Sequence, residues 1–240
     1  MYFDFVERTQ RLIGDKAVAR LQSCSVLLFG LGGVGSYCAE ALVRAGIGHF
    51  TLVDGDVVSV SNINRQLVAL HSTVGREKTA VARERMLDIN PGVKVDTYTV
   101  FYGPETKDLI DFTKFDFVVD AIDDVQGKIQ IIEQAKEAGV PVICCMGTGN
   151  RVDPWSFTVT DIAKTEGDPL ARVMRTRLRK MGITNVPVLL SKAPRVNCKP
   201  DYEPEQGKVI SSISTVPSVA GLLCASYVVD KLLEGVSNVD

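Results

Sequence analysis

Gly30-Leu31-Gly32-Gly33-Val34-Gly35 sets three glycines in a Gly-x-Gly-x-x-Gly spacing, with Gly33 inside the same loop. The loop separates a short apolar run, Ser25-Val-Leu-Leu-Phe29, from a stretch of helical periodicity, Val34 to Ala45. Absent side chains let the backbone close on a phosphate, and the N-terminus of the next helix adds oriented N–H donors. Asp54 follows Gly35 by 19 residues and ends a second apolar run, His49-Phe-Thr-Leu-Val53. A carboxylate there can accept hydrogen bonds from both hydroxyls of a ribose. Glycine spacing alone also suits a tight turn built only for helix–strand packing. The strand–helix–strand context together with Asp54 points to a nucleotide site.

The segment after Asp54 decides which nucleotide chemistry to expect. It holds Asp56, Asn62, Arg65 and Gln66, more polar groups than a connector requires, and Lys78 opens the next helical stretch. Arg65 and Lys78 can reach back to a polyphosphate over the glycine loop. Adenylation splits ATP between its α- and β-phosphates, so charge grows on the departing pyrophosphate, and fixed cations and a metal ion stabilise it. Asp123 lies just beyond the apolar run Phe115–Ala121, at the sheet edge where open α/β folds bind ligands, and is a candidate magnesium carboxylate. Each residue has a plainer role available: Arg65 in an ion pair with Asp56, Lys78 in solvent, Asp123 or Asp124 as a helix cap. Their convergence on one sheet edge favours the active-site reading. An NAD-dependent oxidoreductase would share the loop and Asp54, but it needs a hydride-handling group in the second half. Both histidines, His49 and His71, precede that half.

These residues require a frame. Helical character covers 4–13, with Gly14 as stop and Asp15 as the cap of a second short helix ending near Gln22. Helices are expected at Glu77–Ile89, 105–113, Gln126–Ala138 and Leu170–Met181, and a final helix near Pro217. Strands are expected at Val93–Val100, Phe115–Ala121, Val140–Cys145 and Val186–Leu190, and the alternation of Phe157-Thr-Val-Thr160 suits an antiparallel strand. The pattern predicts an α/β, Rossmann-like fold: a mainly parallel sheet, helices on both faces and an antiparallel C-terminal extension. The corresponding organisation is 1–22 as an N-terminal arm, 23–150 as the nucleotide-binding core and 151–240 as the extension.

Composition sets the setting. Of 240 residues, 45% are apolar and 23% charged, and the net charge is −2, an ordinary globular balance with no global pull toward nucleic acid. Six cysteines without Cys-x-x-Cys spacing argue against a zinc site and for free thiols in a reducing cytoplasmic setting. The charged N-terminus does not read as a secretory leader. The apolar stretch Val216–Val229 is shorter than the roughly 20 residues a membrane span needs.

GLGGVG at 30–35, VDGDVVSVSNINRQ at 53–66, GREK at 75–78 and VDAIDD at 119–124 together resemble the ubiquitin-activating-enzyme-like (ThiF/MoeB/HesA) adenylyltransferase superfamily. The resemblance implies ATP- and magnesium-dependent adenylation of a carboxylate, with Asp54 on ribose, Arg65 and Lys78 on phosphates, Asp123 on the metal and Asn62 as a further polar contact. Phe5-Val-Glu-Arg8-Thr-Gln-Arg11 resembles the superfamily's arginine-bearing helix, which enters a neighbouring subunit's ATP site. That implies a homodimer, with Arg8 as the exchanged residue and Arg11 as the second candidate. The Cys-x-x-Cys pairs of the sulfur-carrier-activating branch are missing. Instead Met146–Pro154, Asp161–Thr165 and Asp168–Arg175 are similar to the tRNA threonylcarbamoyladenosine dehydratases, implying a tRNA-bound carboxylate as substrate. A monovalent cation and a sulfur-relay protein are further candidate ligands.

Local charge agrees with that implication. From Arg172 to Lys199 there are eight basic residues and no acidic one. Arg172, Arg175 and Arg179 share a helical face, with Lys180, Lys192 and Arg195 beyond, while Met174, Leu178 and Met181 form the expected buried face. Such a stripe suits phosphate contacts, although alone it is equally a solvated surface. Trp155 and Tyr202 can stack on a base, and Trp155 is as readily a packing residue. Cys24, Cys38, Cys144, Cys145 and Cys224 read as core, and Cys198 as the one thiol in a basic loop. The rival readings are activation of a ubiquitin-like sulfur carrier, the oxidoreductase, and a non-catalytic RNA-binding or sulfur-relay module.

Overall fold

The structure is a computed structural model that describes residues 4–196 and 210–236. Seven strands form one sheet: β1 (Ser25–Phe29), β2 (His49–Val53), β3 (Lys94–Tyr98), β4 (Phe117–Asp120), β5 (Val142–Cys145), β6 (Phe157–Asp161) and β7 (Pro187–Ser191), in the order β3-β2-β1-β4-β5-β7-β6. All pairings are parallel except β6–β7, which is antiparallel. The α-helices among the described residues are α1 (Glu7–Ile13), α2 (Asp15–Ser23), α3 (Gly35–Ala45), α4 (Lys78–Ile89), α5 (Val125–Glu137), α6 (Pro169–Lys180) and α7 (Thr215–Leu232). The chain runs outward from β1 to β3, then returns to β4 on the other side of β1. That reversal opens a crevice between the ends of β1 and β4, where such sheets bind ligands.

Strand alternation divides the core. Val26, Leu28, Phe117, Val119, Ile143 and Leu189 face α3, α4 and α7. Leu27, Phe29, Val118, Val142, Val188 and Leu190 face α5 and α6. Because both faces are covered, the parallel strands read as continuous apolar runs, and this is why β1 and β2 match their predicted limits. On α7, Gly221 lies so near α3 that a Cβ would sit 2.3 Å from the Val34 carbonyl oxygen. No helix among the described residues is long and apolar enough to cross a membrane.

Several local expectations are corrected. Residues 105–113 form only two 3₁₀ turns, Lys107–Leu109 and Phe112–Lys114. Asp111 accepts hydrogen bonds from the backbone N–H and hydroxyl of Thr113 at 3.1 and 2.6 Å, a local bond that competes with helix. Ile110 and Phe112 are meanwhile drawn into the core. Asp15 does not cap α2: Gly14 holds that position at φ 84°, and the Asp15 carboxylate accepts from Gln10 Nε2 at 2.8 Å. Met181 is 42% exposed, because α6 stops at Lys180 and Gly182, at φ 72°, turns the chain so that Ile183 packs on the core instead.

The sheet's centre holds an ion pair. Lys128 of α5 and Asp120 of β4 are both fully buried; Lys128 Nζ donates to both Asp120 oxygens at 3.0 Å and to the Cys145 carbonyl at 2.8 Å. All three ammonium protons are thereby satisfied. Burial is the largest influence and opposes charge on Lys128, but the attraction and hydrogen bonds of Asp120, together with Cys144 and Cys145, hold the lysine pKa above its ordinary value. The pair joins β4, α5 and β5 beneath the loop carrying Asp123, and Asp120 also accepts from Ile122 N–H at 3.3 Å. Lys128→Met strands a buried carboxylate and should cost about 3–5 kcal/mol in urea unfolding. Adding Asp120→Asn to it should recover most of that loss. A single variant as stable as the parent would show that the pair is dispensable.

Candidate active site

The glycine loop leaves β1 at the crevice, and its three motif glycines meet different constraints. Gly30 has φ +86°, and a Cβ there would lie 2.8 Å from the Ala121 carbonyl oxygen of the neighbouring loop. A Cβ on Gly35 would lie 1.7 Å from the Gly30 carbonyl oxygen, so α3 can start against the end of β1 only without a side chain. Gly32 faces open space: within 4 Å its Cβ would meet only Gln66 Nε2, at 3.9 Å. Tight turn and close packing thus account for Gly30 and Gly35, whereas Gly32 leaves room for a ligand. Gly33 packs under Pro217, at the start of α7, and beside Arg65 Cγ, with its Cβ position at 3.0 and 3.4 Å from them.

Asp54 is half-buried beside this loop. One oxygen accepts from Leu31 N–H at 2.6 Å and the other from Asp56 N–H at 2.8 Å. A carboxylate has about four acceptor positions, so room remains for ribose hydroxyls. Burial pushes the Asp54 carboxyl up, while Lys78 and the two backbone N–H groups oppose the shift. Ser36, in the first turn of α3, donates its hydroxyl to the Gly32 carbonyl at 2.6 Å and accepts from Leu67 N–H at 3.1 Å, coupling the loop to the 62–67 segment. Next to that link, Gln66 Oε1 is buried with no hydrogen-bond partner. An orphaned buried acceptor near the open side of Gly32 is a feature that a hydroxyl or amino donor would satisfy.

The two predicted cations differ in how they are held. Lys78 is buried at the start of α4, with Nζ 2.7 Å from Asp56 Oδ2, so Asp56 pairs with Lys78 and not with Arg65. Arg65 is half-buried, and its Nη1 donates to the Ser61 carbonyl and Asn64 Oδ1, both at 2.9 Å, leaving its other guanidinium donors without a hydrogen bond among the described residues. Asn62 is occupied within its own turn, its Oδ1 accepting from Ser59 N–H at 3.1 Å. Asp124 caps α5 through Gly127 N–H at 2.6 Å, whereas Asp123 is exposed at the end of β4. No cluster of three or more His, Cys, Asp or Glu able to hold a metal occurs among the described residues. A lone carboxylate beside a phosphate loop fits magnesium that arrives on a nucleotide, since that ion keeps most of its ligands as water and phosphate oxygen.

Arg8 on α1 is exposed and makes no hydrogen bond or ion pair among the described residues, whereas Arg11 pairs with Glu7. On α6, Arg172, Arg179 and Lys180 are exposed, but Arg175 turns back to the Thr165 carbonyl and hydroxyl. A cleft of about 670 Å³ runs beside Arg175, Arg179 and Lys180, away from the glycine loop. Lys192 and Arg195 are exposed after β7. The five described cysteines are buried; burial raises the thiol of Cys24 to about 11 and lifts those of Cys38 and Cys144, and a hydrogen bond with Cys145, followed by burial, lifts that of Cys224. Cys198, Lys199 and Tyr202 lie outside the described residues.

Sequence reasoning missed three supports. One is Lys128, whose spacing of three, four and seven from Ile131, Ile132 and Ala135 on a buried stripe was the available signal. Another is the buried Arg151–Asp168 pair at 3.0 Å. The third is Asn150, at φ 56°: its N–H donates to the Ser211 carbonyl, its carbonyl accepts from Val196 and its Oδ1 from Ser211, each at 2.7 Å. Asn64, beside Arg65, donates to the Ser212 carbonyl at 3.0 Å, joining that clamp to the phosphate side of the site.

Comparison with known proteins yields a coherent set. The profile of the ThiF family matches residues 6–239. The tRNA threonylcarbamoyladenosine dehydratase of Bacillus subtilis is 39% identical over 95% of this chain and 94% of its own length. The protein of the same name from Escherichia coli is 41% identical over 71% of this chain and 64% of its own length. The crystal structure of that E. coli dehydratase, TcdA, in complex with ATP superposes with a TM-score of 0.88 at 33% identity, covering 97% of this chain and 95% of that one.

The glycine geometry separates folding from ligand binding. Gly35→Ala should destabilise the protein by about 3 kcal/mol or more, because backbone must move to admit the methyl. Gly32→Ala should unfold at the wild-type temperature yet bind ATP about 10- to 100-fold more weakly, the loss expected when charge-assisted backbone hydrogen bonds are blocked. Calorimetric titration beside thermal unfolding reads both quantities. Wild-type ATP affinity in Gly32→Ala would move the phosphates elsewhere.

Proposed function

The chain belongs to the ThiF family, and on that premise we propose that it is an ATP-dependent dehydratase acting on N6-threonylcarbamoyladenosine at tRNA position 37. The observation that carries this reading is the glycine loop, open at Gly32, with Asp54 bonded to Leu31 of the loop and Arg65 packed beside Gly33. Similarity to the B. subtilis dehydratase over 94% of that protein's length supports extending it to the whole reaction.

The ribose lies on Asp54 and the phosphates over residues 30–35, with Asp56, Asn62 and Gln66 completing the pocket. The threonine carboxylate attacks the α-phosphate and pyrophosphate departs. Arg65 and Lys78 neutralise the charge growing on the leaving oxygens. Lys78 must trade Asp56 for phosphate to do so, a small displacement because Asp56 is half-exposed. Asp123 would hold magnesium, which supplies further charge stabilisation to the phosphates. A nitrogen or oxygen of the same modifying group then attacks the activated carbonyl, a ring closes and AMP leaves. The base loses one water overall, ATP being converted to AMP and pyrophosphate. Proximity within one substituent makes a protein nucleophile unnecessary, in keeping with five buried thiols.

Within the C-terminal extension 151–240 the basic segment 172–199 serves tRNA binding, with Arg172, Arg179, Lys180, Lys192 and Arg195 on phosphates and Arg175 bracing α6 from Thr165. Residues 1–22 form a dimer arm in a cytoplasmic homodimer, and 23–150 the nucleotide core. The absence of a partner for Arg8 among the described residues supports its delivery to a second protomer.

The direct test is nucleoside mass analysis after incubating the protein, ATP and magnesium with fully modified tRNA. Wild type should convert the base to a product lighter by one water, and Arg65→Ala should do so about 100- to 1000-fold more slowly. AMP formation on a small carrier protein, with no change in tRNA, would assign the sulfur-carrier reaction instead.

Assembly has its own test. Arg8→Ala and Arg65→Ala should each be inactive as homodimers. In a mixed dimer one site receives both defects and the other none, so subunit exchange should restore activity. Two inactive parents that exchange subunits and never complement would show that Arg8 does not serve a neighbour.

A further inference from the structure

Trp155, the only tryptophan of the chain, is 91% exposed. Its position is built, not loose. Asp153 accepts hydrogen bonds from Trp155 N–H at 2.7 Å and from the Ser156 hydroxyl, closing a turn around Pro154. The Ser156 carbonyl accepts from Lys192 N–H at 2.7 Å, which pins the turn to the end of β7. Arg151, four residues earlier, is equally anchored: it is buried against Asp168 and donates to the Ala193 carbonyl. A large aromatic ring is thus held in water by a rigid turn, at an uncompensated hydrophobic cost.

Topology places this ring on the catalytic edge. β6 begins at Phe157 opposite Ser191, the C-terminal end of β7, and β7 runs parallel to β5. Trp155 therefore stands on the same sheet edge as the glycine loop. Four strand spacings separate β1 from β6 in the order β1-β4-β5-β7-β6, about 19 Å at the usual spacing. Its surroundings are basic: Lys192 and Arg195 are exposed on the adjoining segment, and both Asp153 oxygens are engaged within the turn. An exposed indole beside cations matches an RNA single strand, whose phosphates meet the cations and whose bases offer π-faces.

We propose that Trp155 is a stacking platform for an unpaired nucleobase of the RNA substrate, flanking the modified adenosine whose threonine carboxylate is presented to the ATP bound at the glycine loop. This deepens the tRNA reading above and rests on it. Trp155 grips a base near the reacting one, whereas the α6 arginines contact phosphates at a distance.

Because the chain has one tryptophan, its emission reports on this residue alone. The full-length protein is titrated with a labelled anticodon stem-loop carrying N6-threonylcarbamoyladenosine, and in parallel with a fully paired RNA duplex. Label anisotropy reads binding, and indole emission reads stacking. The stem-loop should bind and quench the indole, and the duplex should leave emission unchanged. Trp155→Ala should weaken stem-loop binding about 10-fold, within the range for loss of one base–aromatic stack. Its log–log salt slope should be unchanged, since no phosphate contact is lost. Trp155→Phe should retain most of the affinity, and both variants should bind ATP as wild type does. Stem-loop binding without quenching, or wild-type affinity in Trp155→Ala, would overturn the platform and leave the tRNA reading intact. Failure of the wild-type protein to bind the stem-loop at all would overturn both. Blue emission from the free protein that reddens on dilution would show the indole covered by a second copy, which also overturns the proposal.

Discussion

The first turn of α3 lies against the end of β1 with no room for one methyl group: a Cβ on Gly35 would sit 1.7 Å from the Gly30 carbonyl oxygen. The rest of the site is arranged around that contact. It aims the N-terminus of α3 at the mouth of the crevice, where the positive end of the helix favours an anion. It also lets Leu31 reach Asp54, so the ends of β1 and β2 are joined by a carboxylate as well as by their ladder. Ser36, one residue further on, extends the coupling to the segment that carries Gln66 and Arg65.

Electrostatics acts at two depths. In the core, Lys128 and Asp120 are fully buried and fully hydrogen-bonded, a costly arrangement that holds the β4–α5 loop in one geometry. At the crevice mouth, Lys78 is buried but its partner Asp56 is half-exposed, so that ion pair can open toward an anion. The surface cations of α6 lie in water and contribute mainly long-range attraction, which salt screens. The three settings suit three tasks: holding a loop, receiving a phosphate and attracting a polyanion.

The C-terminal third adds strands to the same sheet rather than building a separate layer, since β7 pairs with β5 and β6 closes the edge. This brings residues distant in the chain to one rim. Asn150 ties Val196 to Ser211, Asn64 ties Ser212 to the segment of Arg65, and Pro217 leads α7 in over Gly33. A polar substrate approaching the glycine loop meets a rim drawn from four separate stretches of sequence.

Much of this was legible in the sequence, because buried parallel strands and glycine loops leave local signatures. The apolar runs 25–29 and 49–53 became β1 and β2 without change, and Gly30, Gly32, Gly35 and Asp54, in their strand–helix–strand context, pointed to the crevice. Such signals survive because backbone geometry and burial act on neighbouring residues. Tertiary structure decided what depends on distant partners. It chose Lys78 and not Arg65 for Asp56, and turned Arg175 inward to Thr165 while its helical neighbours stayed in solvent. It exchanged Met181 for Ile183 in the core, buried Lys128 against a carbonyl 17 residues away, and left Trp155 standing in water. Ion pairing and exposure depend on which groups the fold brings within a few ångströms, and periodicity along one segment carries no information about the segment packed against it.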